Sequence, residues 1–192
     1  MREIKPTEVR KQEILEGAIK VFQAKGYYRT SISDIAASLN ISQGLCYRYF
    51  KSKEEIFELA VDVYAQSIAD PMIREMNRPE IRLPELIKSF PDFTNMEQEH
   101  TGFYDLFHGQ ESDSFHDSLS LKICGKVYPH VKGLLEAQCK AGTLQLHDPE
   151  TMASFLVYGQ LGILLDKGLS MKEKNRRIMQ FLETILSGTM PR

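Results

Sequence analysis

Apolar residues recur at intervals of three and four along nearly the whole chain, and no run alternates apolar with polar residues between turn signals. That period is the α-helical one, so strands have no segment to form from and the expected fold is all-α. A first helix is expected from about Thr7, just after Pro6, with Ile14, Ala18, Val21 and Phe22 on one stripe and Gly26 at its end. Ser31 is the N-cap of a short second helix; Asp34, three residues on, meets its exposed amides, and Ile32, Ile35, Ala36 and Leu39 form its buried side. Asn40 and Ile41 make a tight turn, Ser42 caps a third helix, and Leu45 and Tyr49 follow at helical spacing. A fourth helix is expected from about Ser52 to Ala69, opened by Glu54 and Glu55 and stopped by Asp70-Pro71. Further segments are expected at 84–89 and 100–108, at about 114–141 with a kink or break near Tyr128 where Pro129 intervenes, and at 150–167 and 171–186.

The formal net charge of −2 conceals a division along the chain. Residues 1–53 hold ten Lys and Arg against five Asp and Glu, about +5, and the remainder holds 14 against 21, about −7. A basic module that meets an anion, joined to an acidic body, is the reading, and it puts the domains at 1–53 and 54–192. Cys46, Cys124 and Cys139 are odd in number and scattered, which fits neither a disulfide framework nor a zinc site. The longest apolar run, Met152 to Leu165, is 14 residues, against about 20 for a bilayer span. No signal-peptide pattern opens the chain, so the expectation is a cytoplasmic protein with no membrane partner. His100, His108 and His116 lie among carboxylates at spacings that suit no metal site, and no nucleophile elbow or phosphate loop occurs. The chain is therefore expected to hold no metal and no cofactor, and not to be an enzyme.

Residues 31–50, SISDIAASLNISQGLCYRYF, read as two short helices about a tight turn within the basic part, the sequence form of a helix-turn-helix. Ala36 sits where the helices cross, and Leu39, Ile41 and Leu45 lock the second helix so that its start can enter a major groove about 12 Å wide. Gln43, Gly44 and Cys46 are then the positions that face base edges.

From Gly26 to Phe57 the chain resembles the N-terminal domain of the TetR family of bacterial transcriptional regulators. The resemblance lies in Gly26-Tyr27 at the end of helix one, Thr30, Ser31, Ile35 and Ala36 in helix two, and Ile41, Ser42 and Gly44 into helix three. It closes on Tyr47, Tyr49, Phe50 and Ser52 to Glu55, with Tyr49 standing where many members carry His. It implies a three-helix DNA-binding domain followed by a larger helical domain for ligand binding and dimerisation. Carried over by residue, it puts Thr30 and Ser31 at phosphates, and Ser42, Gln43 and Gly44 at the groove. Tyr47 and Tyr49 come to phosphate or base, and Lys53 to a backbone phosphate. The chemistry agrees: hydroxyls suit phosphate oxygens, Gln43 can pair with adenine, and Gly44 admits a thymine methyl. Arg29, Arg48 and Lys51 are further phosphate contacts on this reading. Other readings stand beside it, with Tyr47 and Phe50 as core aromatics, Ser31 and Ser42 as caps first, and Lys53 as a solvated charge.

In the body, the penultimate helix is apolar on nearly every side, so one face is expected to cover its own body and another a second copy. Phe155, Leu156, Gly159 and Ile163, with Ile178, Phe181, Leu182 and Ile185 of the last helix, are the expected dimer interface. The other reading is a buried helix in a monomer. Tyr64, Phe103, Tyr104, Phe107, His108 and Tyr128 are expected to line a site for a small hydrophobic or aromatic effector, ordinary core being the alternative. The functional expectation is a homodimeric, sequence-specific regulator of transcription, a repressor released from a palindromic operator in double-stranded DNA by that effector. An activator, or a helical ligand-binding or enzymatic protein whose DNA binding is secondary, are the alternatives.

Overall fold

The computed structural model describes residues 6–79, 81, 85–86 and 113–187, and all regular structure among them is helical. The elements are α1 (Thr7–Lys25), α2 (Ile32–Ser38), α3 (Gln43–Tyr49), α4 (Lys53–Met76), α5 (Asp113–Lys140), α6 (Pro149–Tyr158), α7 (Leu161–Leu164) and α8 (Met171–Ser187). The described residues fall into two compact units: one reaches to Tyr64 and includes the start of α5, and the other begins at Ala65. The boundary drawn from charge at Lys53 is the first residue of α4, which runs on without interruption, so the first unit keeps three turns of that helix.

In the first unit the apolar stripe of α1 closes over the short helices. Ile14, Leu15, Ala18 and Phe22 are buried with Ile32, Ile35 and Ala36 of α2, Cys46 of α3, and Ile56, Phe57, Ala60 and Val61 of α4. Phe22 meets Phe57 edge-on, with ring centroids 5.5 Å apart. A methyl group at Gly17 would come within 2.6 Å of the Leu39 side chain, so α1 and the end of α2 approach at a glycine. Gly26, at φ +79°, ends α1 in a conformation that side chains resist.

The core of the second unit joins Ala69, Met72 and Met76 of α4 to Cys124, Val127 and Leu135 of α5 and to Ala153, Leu156 and Val157 of α6. Two expectations about helix ends are corrected here. Asp70-Pro71 does not stop α4, which continues to Met76. A proline inside a helix costs about 3 kcal/mol, but Met72 and Met76 are 5% and 4% exposed beyond it, and burying each returns about 2 kcal/mol. Helix α5 runs unbroken through Pro129, so of the kink or break expected near Tyr128 the break does not occur; Val127 and Leu135 are buried on either side. The expected helix over 150–167 instead divides at Gly159 into α6 and α7. Glycine weakens a helix interior, and the chain restarts from the Gln160 carbonyl, which accepts from the N–H groups of both Ile163 and Leu164 at 3.0 Å. No helix among the described residues is long and apolar enough to cross a membrane.

Candidate nucleic-acid interface

Two seven-residue helices cannot hold themselves together in water, so their ends and their buried faces must do it. Ser31 and Asp34 form a reciprocal cap on α2: the Asp34 N–H donates to Ser31 Oγ at 3.2 Å, and the Ser31 N–H donates to Asp34 Oδ2 at 2.8 Å. The other carboxylate oxygen of Asp34 receives Lys25 Nζ at 2.6 Å, which ties the end of α1 to the start of α2. The Lys25 ammonium and the Ser31 donors hold the Asp34 carboxyl well below the usual carboxylate range. At the other end the N–H groups of Asn40 and Ile41 return to the carbonyls of Ala37 and Ala36, at 3.1 and 3.0 Å. Asn40 turns the chain at φ +53°, a left-handed conformation that asparagine tolerates better than most residues. Ser42 Oγ then accepts from the Leu45 N–H at 3.3 Å and opens α3.

The position of each residue on α3 follows from that start. Cys46 is fully buried and Phe50, just past the helix, is 2% exposed, so these two seat α3 on the core. Full burial takes Cys46 away from the groove, and the same burial pushes its thiol above its ordinary pKa. Leu45 and Tyr49 are half-buried, while Ser42, Gln43, Gly44, Tyr47 and Arg48 are exposed, Tyr47 by 52%. Tyr47 is therefore a surface aromatic and Phe50 a core one. Gly44 has open space where a side chain would stand, so packing does not require the glycine there. Arg29, Ser31 and Lys51 are exposed as well.

Two residues differ from the expected contacts. Thr30 is 3% exposed and its hydroxyl donates to the Gly26 carbonyl at 2.8 Å, so it secures the corner after α1 and presents no surface to a phosphate. Lys53 Nζ donates to the Tyr27 carbonyl at 2.9 Å and lies 4.2 Å from the centre of the Tyr27 ring. The Tyr27 hydroxyl donates to Glu54 Oε1 at 3.2 Å, and its ring packs 4.4 Å from that of Phe57. Burial, with the Glu54 charge adding to it, raises the Tyr27 phenol to about 12. This corner was not foreseen from the sequence, where Gly26-Tyr27 signals only a helix end and the partners lie 26 residues further on. Tyr28, 60% exposed and edge-on to its neighbour Tyr27 at 5.3 Å, is a further surface aromatic that the sequence reading did not single out.

The residues expected to form a dimer interface separate by exposure. Leu156 and Ile178 are 7% and 3% exposed and belong to the chain's own core, with Leu182 and Ile185 packed partly against it. Phe155 and Phe181 are exposed, by 69% and 55%. Gly159 is exposed and Ile163 half-buried; a side chain at Gly159 would run into the carbonyl of Phe155. Of the expected effector residues, Tyr64 is buried in the first unit. In the second, half-buried Tyr128 faces Tyr158 at 5.8 Å and donates to Glu150 Oε1 at 3.4 Å. Phe103, Tyr104, Phe107 and His108 lie outside the described residues.

Residues 14–60 match the family model for bacterial regulatory proteins of the tetR family. The HTH-type transcriptional regulator HbdR of Aromatoleum sp. (strain CIB) is 40% identical over 68 residues, which cover 33% of this chain and 30% of that protein. The biofilm operon icaADBC HTH-type negative transcriptional regulator IcaR of Staphylococcus aureus (strain Newman) is 30% identical over 83 residues, 43% of this chain and 45% of that one. The chain thus spans less than half the length of these curated relatives in the matched stretch. The fold extends further: the solved structure of the flavonoid-responsive regulator FrrA aligns over 96% of this chain and 99% of that one, with a TM-score of 0.61 at 19% identity.

Proposed function

We infer, for a chain that belongs to the TetR family of bacterial regulatory proteins, that it is a sequence-specific DNA-binding regulator of transcription and acts as a homodimeric repressor. The observation that carries this is the presentation of Gln43, Gly44, Tyr47 and Arg48 to solvent from a short helix whose other face and first turn are locked by Cys46, Phe50 and the Ser42 cap. Fixed side chains at the start of such a helix are what a major groove reads: Gln43 offers a donor and an acceptor to a base edge, and Arg48, Arg29 and Lys51 offer charge to phosphates.

A dimer suits this chemistry because two such helices must enter successive major grooves about 34 Å apart. The exposed rings of Phe155 and Phe181 supply apolar surface for a second copy. Repression is supported by IcaR, a negative regulator by name. Release by a small hydrophobic or aromatic effector is supported by the flavonoid-responsive FrrA, which shares the fold. Such an effector acts by binding more tightly to the body conformation whose two heads do not fit the operator, and the shift cannot exceed that difference in affinity. Duplex binding by the full chain, measured by fluorescence anisotropy at several salt concentrations, tests the reading. Affinity should fall steeply with salt and collapse in a Tyr47→Ala plus Arg48→Ala variant that still melts like the parent; equal binding by parent and variant would overturn it. Aromatic compounds that raise the melting temperature should also displace the duplex.

A further inference from the structure

We propose that Lys53 is a positioning residue: it clamps the corner between α1 and α2 onto the first turn of α4, and its ammonium serves Tyr27 and not a DNA phosphate. The proposal rests on the DNA-reading function inferred above. Three neighbouring residues of one helical turn engage three different parts of Tyr27. Lys53 Nζ reaches its carbonyl at 2.9 Å and its ring at 4.2 Å, Glu54 takes its hydroxyl at 3.2 Å, and Phe57 packs on its ring at 4.4 Å. The same carbonyl accepts from the Thr30 N–H at 3.2 Å, immediately before Ser31 caps α2. Whatever holds Tyr27 therefore sets where α2 begins, and through the tight turn at Asn40, where α3 points.

For Lys53 to meet a phosphate, its ammonium must leave both the carbonyl and the ring, and the phosphate would approach the carboxylate of the adjacent Glu54. A half-buried cation with a hydrogen bond and an aromatic face is held far better than a solvated lysine. Arg48 and Lys51, both exposed, bring no such competing contact among those described.

The test compares the full-length parent with Lys53→Met, Lys53→Arg and Arg48→Ala, using two measurements. One is the affinity, and its dependence on salt, for a duplex recovered by selection; the other is hydrogen exchange at the Thr30 amide in the free protein. A clamp predicts that Lys53→Met weakens binding about tenfold with the salt slope unchanged, that exchange at Thr30 accelerates, and that Lys53→Arg restores both. Arg48→Ala should lower the slope by about 0.9, the share of one phosphate contact, with Thr30 unaffected. A slope lowered by that amount in Lys53→Met, with Thr30 protected as in the parent, would make Lys53 a phosphate ligand and overturn the proposal, as would a variant unchanged in both measurements. Should the parent select no duplex, the DNA-reading function fails on its own, and Thr30 exchange in the free variants still decides whether the clamp exists. Circular dichroism separates a loosened corner from a lost fold, and Lys53→Arg keeps the comparison usable if Lys53→Met unfolds.

Discussion

Replacing Phe155 by glutamate separates folding from association more cleanly than any other change on the second unit. Its ring is 69% exposed in the single chain. Of the roughly 200 Å² that a phenylalanine presents, about 140 Å² is thus open to water and available to a partner. At about 25 cal/mol per Å² that surface is worth about 3.5 kcal/mol for each ring, or about 7 kcal/mol for the two rings of a twofold pair. Association recovers only part of such a figure, so about 3 kcal/mol is a reasonable loss, which raises the dimer dissociation constant about a hundredfold. The fold itself should barely respond, since substitutions at exposed positions stay within about 0.5 kcal/mol. Sedimentation velocity across a concentration series reads the first effect and urea denaturation of the monomeric variant the second. A variant that sediments as a dimer with the parent's constant would refute the assignment of α6 to the interface. A variant that fails to fold would refute the exposure on which the estimate is built.

Ser31→Ala should destabilise the first unit by about 1 kcal/mol through loss of the cap on α2, read as a lowered urea midpoint, and should weaken duplex binding in the same variant. The depressed ionisation of Asp34 makes stability depend on acid: the contribution is fully present above the ordinary carboxylate value near pH 4 and is lost as pH falls below it. Urea midpoints at descending pH should therefore fall less steeply in Asp34→Asn than in the parent. Pro71→Ala should raise stability by about 1 to 3 kcal/mol, because α4 already continues past this position and would regain the bond that proline cannot make; an unchanged or lowered melting temperature would contradict that.

What could be read from the chain alone was local chemistry. The Ser31 and Ser42 caps, the glycine after α1 and the Asn40 turn each work within a few residues, and each lies where its sequence signal put it. The exposed start of α3 followed from those ends and the helical period. What failed was decided by distant partners. Pro71 reads as a stop until the burial of Met72 and Met76 is weighed against it. Nothing near Lys53 in the sequence signals the Tyr27 carbonyl, 26 residues away, that its ammonium meets. In the second unit, a stretch apolar on every side carries no period to say that Phe155 faces water while its neighbour Leu156 faces the core.

Whether a pair of these α3 helices reads DNA is decided by selection of bound duplex from a random pool by the full chain. The recovered sequence should be a palindrome whose half-sites lie about 10 base pairs apart, centre to centre, or a multiple of that turn. Within each half-site, Gln43→Ala should relax the preference at one base pair while leaving the rest intact. A pool that gains no common sequence after repeated rounds, or that converges on an asymmetric site read equally well without Gln43, would contradict DNA reading by such a pair.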